Sequence, residues 1–290
     1  MDKKFLKYAL GATLIVVIYF ILAPYFAGDK IVDAVAFEVG PVSVRWYGML
    51  IALSILIGYF VVVRSLAGSR NLNADLLLNV VIWGLVGGIV GARLMFVILK
   101  WPLYIDNLAE IVLITQGGLS IHGAILGGAL TTLWATKIYK LDFKKVADVF
   151  VPAIILGQAI GRFGNFFNQE AFGGPTNLPW KMYVSPQSRP LGLEEFTHFH
   201  PTFLYEAVGS FIIFFILLRL LKLRLKDGGV LAWYLILYSS LRFAVEFVRI
   251  DSDHWWFLTI AQWASLAIIA LSVWWLRQKS PLNQFKNRDE

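Results

Sequence analysis

No cysteine occurs among the 290 residues. Disulfides, thiolate metal ligation and a cysteine nucleophile supplied by this chain are therefore excluded. Histidine is scarce, at four, and charge is low: 16% of residues are charged and 58% hydrophobic. A soluble domain is about a quarter charged and about half apolar, so the shortage of charge points to lipid as the main solvent. Low-complexity runs and convincing internal repeats are also missing, which leaves one membrane domain as the simplest organisation. What is abundant is Phe, Trp and Tyr, at 15%, the side chains that favour headgroup depth.

A helix that crosses a bilayer needs roughly 20 mostly apolar residues. Eight stretches qualify: 5–27, 47–63, 76–99, 119–139, 146–166, 202–221, 229–247 and 256–276. The expected fold is an all-α integral membrane protein, a polytopic helical bundle. The first stretch follows Lys3, Lys4 and Lys7 and has two readings, a secretory signal or an uncleaved anchor. Its apolar run is long and no small-x-small cleavage site follows, which favours the anchor.

Loop charge sets the expected orientation. With the N-terminus inside, the inner loops and tails receive Arg64, Arg70, Lys137, Lys140, Lys144, Lys145, Arg219, Lys222, Arg224 and Lys226, besides the basic residues of both ends. The outer loops receive only Lys30, Arg45, Lys100, Lys181 and Arg189. Both termini are then cytoplasmic. The longest outer loop, residues 168–200, reads as a small extracytoplasmic cap. The division is 1–29 for the anchor helix, 30–278 for the membrane domain and 279–290 for a cytoplasmic tail. The net charge of +7 is explained by these topology signals, so nucleic acid is not expected as a partner.

Charged and polar residues inside apolar spans are costly and mark function or pairing. On a helix Gln158, Arg162, Asn165 and Gln169 share one face, and so do Tyr238, Arg242, Glu246 and Arg249. His122 opens one span, Tyr47 another, and Glu206 a third; Glu170 follows the Arg162 stretch. The threading drawn from loop charge puts Tyr47, His122, Arg162, Asn165, Glu170, Glu206, Tyr238, Arg242 and Glu246 near the outer face. Taken singly, each has a plain explanation. A lone helix-end histidine is ordinarily interfacial, Arg242 and Glu246 make an i,i+4 ion pair, and Asn165 glues helices. Glu206 suits a solvated helix start, and Tyr47 and Tyr238 suit an interfacial belt. Arg93 fits a structural or headgroup-contact role, and Gly84/Gly88 and Gly123/Gly127 fit helix packing. Convergence on one leaflet is what lifts the set above its parts.

Guanidiniums in a half-membrane cavity suit a phosphate, and the natural anion at that depth is a phospholipid headgroup. The residues alone indicate an outer-leaflet phospholipid-processing site without naming the reaction. A transporter is the main rival, with binding groups near the midplane on broken helices and a pseudo-repeat. A structural membrane subunit is a weaker third.

At these residues the chain resembles the bacterial prolipoprotein diacylglyceryl transferases. The segments are Arg45-Trp46-Tyr47-Gly48, Gly91-Ala92-Arg93, His122-Gly123-Ala124-Ile125-Leu126-Gly127, Gly161-Arg162-Phe163-Gly164-Asn165-Phe166-Phe167-Asn168-Gln169-Glu170, His200-Pro201-Thr202-Phe203-Leu204-Tyr205-Glu206 and Arg242-Phe243-Ala244-Val245-Glu246-Phe247-Val248-Arg249. The segment around Arg162 is the most specific. Ala92 and Ala124 stand where the family usually has glycine, both still small. The resemblance implies a seven-helix core, to which this chain adds a leading helix.

It also implies an enzyme of the bacterial cytoplasmic membrane, active toward the extracytoplasmic side. Such an enzyme transfers the diacylglyceryl group of phosphatidylglycerol to the lipobox cysteine of a prolipoprotein signal peptide. His122, Arg162 and Arg242 are the expected catalytic residues. Tyr47, Arg93, Asn165, Glu170, Glu206, Tyr238, Glu246 and Arg249 are expected to bind or orient substrate. No metal or organic cofactor is expected. Two ways to ionise the thiol stay open: His122 as base, or electrostatic help from the arginines alone.

Overall fold

The computed structural model describes residues 20–40, 42–114, 117–223 and 225–278. Six of its helices are long and apolar enough to cross a membrane. They are α1 (Trp46–Arg70), α2 (Ala74–Leu99), α4 (Phe143–Asn168), α5 (Thr202–Lys222), α6 (Gly229–Val248) and α7 (Ile260–Gln278). Between α2 and α4 lies α3 (Ile121–Ile138), 18 residues long and richer in Gly and Thr. The first expected span lies outside the described residues except for 20–27, which are helical. The chain is a polytopic helical membrane protein, and its surface shows why. Along α2 the side chains of Ile82, Trp83, Val86, Ile89, Val90 and Leu94 are exposed. In water such a face is an association liability, whereas in hydrocarbon it is solvated and the helix satisfies its own backbone.

The chain divides into two compact units. The second comprises Leu56–Ile154 and Ile216–Trp233. Its α2 begins at an Asn73 cap, whose Oδ1 accepts the N–H of Asp75 at 2.7 Å and of Leu76 at 3.3 Å. The α2–α3 pair is glycine-packed. A Cβ on Gly91 would come within 2.4 Å of the Gly123 carbonyl oxygen, and one on Gly127 within 2.2 Å of the Gly87 carbonyl oxygen. Small residues are what allow helix backbones to touch in lipid, where apolar burial drives little association. Tyr59, Val63, Leu77, Val80, Ala135, Val146 and Val149 form this unit's buried core.

The first unit comprises Met1–Ile55, Ile155–Phe215 and Tyr234–Glu290. Strands β1 (Val35–Val39) and β2 (Val42–Arg45) make an antiparallel hairpin that leads into α1. The segment after α4 is a built cap rather than a bare loop. Its strands β3 (Met182–Tyr183) and β4 (His198–Phe199) pair antiparallel. Phe166, Phe172, Met182, Val184, Phe199 and Phe203 form a core beneath them, with Tyr25 and Phe26 packed on it. The cap is stitched to the end of α6 by main-chain bonds from Gly174 N–H to the Val248 carbonyl, 2.9 Å, and a bridge between Gly173 and Arg249.

Three local expectations change. The α4 helix stops at Asn168 because Gln169 takes a left-handed φ of 49°. Gln169 therefore leaves the Arg162 face, and its Oε1 accepts the Ser185 N–H at 3.0 Å inside the cap. The regular α-helix of α6 ends at Val245, Glu246–Val248 form a 3₁₀ turn, and Arg249 is extended. Arg249 thus reaches the site from beyond the helix. The last span begins at Ile260, not Trp256: β5 (His254–Trp255) and β6 (Leu258–Thr259) form a hairpin with Trp256 at φ 61°. Thr259 and Gln262 explain the start. The Thr259 N–H donates to Gln262 Oε1 at 3.0 Å and the Gln262 N–H to Thr259 Oγ1 at 3.2 Å, a reciprocal capping box.

Candidate active site

The first unit gathers charge from three helices around two buried carboxylates. Glu206 sits in the second turn of α5, and its side chain is 1% exposed. The expectation of a solvated helix start is overturned, because three guanidiniums converge on it. Arg162 Nη2 contacts Glu206 Oε2, and the Nη1 atoms of Arg242 and Arg249 each lie 3.5 Å from Glu206 Oε1. Glu246, fully buried, holds Arg242 Nη2 at 2.6 Å. Arg249 also donates to Asp251 Oδ2 at 2.7 Å.

This layering decides the electrostatics. The carboxylates are enclosed, whereas the Arg162 and Arg242 side chains remain 22% and 21% exposed. Burying an isolated carboxylate is prohibitive, and three cations compensate it. The carboxylates orient the guanidiniums, whose open sides keep unspent positive charge. Three arginines against Glu206 and Glu246 leave one positive charge in excess, before exposed Asp251.

Polar residues surround Arg162. Its Nη2 donates to the Tyr238 hydroxyl and its Nη1 to Asn165 Oδ1, both at 3.4 Å. Asn165 passes the order on, with Nδ2 donating to Glu170 Oε1 at 3.0 Å. Asn168 donates to the same oxygen at 3.1 Å. Tyr234 stacks on Tyr238 with ring centroids 6.0 Å apart, and its hydroxyl donates to Gln158 Oε1 at 3.3 Å. Tyr47, in the first turn of α1, lies on Gly164 of α4. A Cβ at Gly164 would fall 1.8 Å from the Tyr47 ring, so that glycine is the seat of the tyrosine.

Arg93 and His122 belong to the second unit. All five N–H donors of Arg93 go to main-chain carbonyls of residues 110–118. Nε meets Ile111 O at 2.7 Å, Nη1 meets Gly117 O and Gly118 O at 2.8 and 2.9 Å, and Nη2 meets Glu110 O and Leu113 O at 2.6 and 3.5 Å. Its guanidinium also lies 5.3 Å from the Tyr104 ring centroid. With no donor left for a headgroup, Arg93 organises the loop that leads into α3; substrate contact, its other expected role, has no donor to make it. His122 is exposed in the first turn of α3.

Some partners escaped the sequence. Asp251 follows Arg249 by two residues and carries no periodic signal. In the cap, the Tyr205 hydroxyl takes a hydrogen bond from Trp180 Nε1 at 2.8 Å and pairs with His200 Nδ1 at 3.1 Å. Burial lowers the His200 pKa below its ordinary value of 6.5. His198 is lowered too, first by burial, then by Lys181 and, more weakly, Arg189, against an opposing bond to the Ala27 carbonyl.

A family model described as prolipoprotein diacylglyceryl transferase matches residues 34–277. The phosphatidylglycerol–prolipoprotein diacylglyceryl transferase of Nostoc sp. is 45% identical over 255 residues, 84% of this chain and 90% of that protein. The protein of the same name from Synechocystis sp. is 44% identical over 257 residues, 85% of this chain and 90% of its own. That of Thermotoga maritima is 40% identical over 271 residues, 92% of each. With the match running from before Tyr47 to beyond Arg249, the chain belongs to the prolipoprotein diacylglyceryl transferase family.

Proposed function

We propose that this protein transfers the diacylglyceryl group of phosphatidylglycerol to the thiol of the lipobox cysteine in a prolipoprotein signal peptide. A carbon–sulfur bond forms, the carbon–oxygen bond to the phosphate breaks, and glycerol phosphate leaves with the bonding electron pair. Membership of the family supports the reaction. The observation that carries the site is the trio of arginines held on Glu206, two of them partly open.

The chemistry asks for positive charge where the leaving phosphate becomes more negative. Arg162 and Arg242 supply it, pre-oriented by Glu206 and Glu246. Preorganised donors of this kind lower barriers because they need not rearrange as charge develops. Arg249 adds charge from behind. Tyr238, Asn165 and Glu170 hold Arg162 and the neighbouring surface, and Tyr47 is seated on Gly164 of the same helix. A free thiol is mostly protonated at neutral pH, so a base helps. His122, exposed at the start of its helix, is assigned that role. The enzyme works in the bacterial cytoplasmic membrane with its site on the extracytoplasmic side and both ends inside, as the sequence distribution of Lys and Arg supports.

The test is purified protein with phosphatidylglycerol labelled in its acyl chains and a lipobox peptide. Label on the cysteine-bearing peptide, and none on a serine version, is expected. No label on either peptide refutes the assignment.

A further inference from the structure

The second unit holds a second charged cluster that the transfer chemistry leaves unused. Arg70 closes α1, Lys145 lies in the first turn of α4, and Lys222 ends α5. With Asn71 and Asp227 they line a cavity of about 550 Å3.

Arg70 is fixed in place. Its Nη2 binds Asp148 Oδ2 at 2.8 Å, and its Nη1 donates to the Leu225 carbonyl at 2.8 Å and reaches Asp227 at 3.4 Å. Asp148 is fully buried and also accepts the main-chain N–H groups of Gly228 and Leu231, each at 2.9 Å. The cluster is nonetheless not saturated. Arg70 Nε is buried without an acceptor. Lys145 meets Asp227 only at 4.0 Å. Lys222 is exposed and makes no ion pair among the described residues. Three cations face two carboxylates, and one of those is already occupied by Arg70 and two amides.

We propose that this cavity is a second anion site, taking a phosphate group on Lys145, Lys222 and the edge of Arg70. The physical case rests on shape and valence. Several anionic oxygens on one centre can bridge cations that stand on three different helices, which a single-point anion cannot do. Basic pockets between helix ends suit the phosphates of anionic lipids, because headgroups gather there at high local concentration. Loop charge assigns these three residues to the cytoplasmic side, so the source is an inner-leaflet headgroup or free phosphate.

Native mass spectrometry of the full, delipidated chain tests this. Wild type and the Lys145→Gln/Lys222→Gln double variant are titrated separately with short-chain phosphatidylglycerol and with inorganic phosphate. The single Lys222→Gln variant runs alongside, and transfer to a lipobox peptide at the wild-type rate certifies that each variant is folded. Wild type is expected to bind one more equivalent than the double variant, or that equivalent about tenfold more tightly, with the single variant between them. An extra equivalent seen with lipid alone assigns the site to a headgroup, and one seen with both probes assigns it to phosphate itself. Equal stoichiometry and affinity for both probes in all three proteins overturns the proposal.

Discussion

Arg93 and Arg162 are both arginines near the C-terminal end of an apolar helix, and the difference between their surroundings separates structure from chemistry. Arg93 is buried, and every donor ends on a main-chain carbonyl. Nothing is left over, so its charge serves to fold one loop. Arg162 is held instead by a buried carboxylate, a phenol and an amide, and a fifth of its side chain stays open. Carbonyls consume a guanidinium, whereas a carboxylate beneath it aims the guanidinium and leaves a face for another anion. A charge in a membrane span is costly in either setting, so cost alone does not reveal which use is being made of it.

The contrast can be broken by substitution. The largest effect is expected at Arg162 and Arg242: changing either to Ala should lower the transfer rate about a thousandfold, as for loss of a preorganised donor at a developing charge. The protein should still insert and purify normally. His122→Ala is expected next, with about a hundredfold loss, the scale of a general base. A fully active variant would leave thiol ionisation to the arginines alone. Glu206→Gln keeps the shape but frees three guanidiniums. About a tenfold loss in rate is expected, together with a lower thermal midpoint. Arg93→Ala should lower the midpoint while changing the rate per folded molecule by less than about tenfold, because five carbonyls lose their donors and no reacting group does.

The smallest effect concerns the cap. His198 and His200 have pKa values below 6.5 in the folded protein. The unfolded chain therefore binds more protons just below that value, so the stability they contribute is full above pH 6.5 and is lost as pH falls through the depressed pKa values. A modest drop in thermal midpoint on acidification from neutral pH is expected, and a His198→Gln/His200→Gln variant should flatten it.

Much of this was legible in the primary structure because lipid imposes strong rules. Among the described residues, apolar runs placed α2 to α7 to within four residues, whereas α1 runs on to Arg70, seven past its expected end, and alternate threading brought Arg162, Glu206 and Arg242 to corresponding helix ends. The failures have particular causes. Trp256 and Phe257 are apolar enough to read as helix, but a Thr259–Gln262 box starts α7 later and these aromatics lie in a hairpin. Gln169 kept helical spacing with Arg162, yet one left-handed residue redirects it. The partners of Arg93 are main-chain carbonyls, which no side-chain pattern encodes. The cap core joins residues from 166 to 203 through two-residue strands, too short to leave an alternating signature.

The most direct measurement is the single-turnover rate at saturating phosphatidylglycerol and peptide, wild type beside Arg162→Ala, with lipid affinity read from the same titration. If the guanidinium acts on charge that grows as the phosphate departs, the rate at saturation should fall about a thousandfold and affinity by less than about tenfold. A variant that binds lipid poorly but turns over at the wild-type rate once saturated would contradict the account.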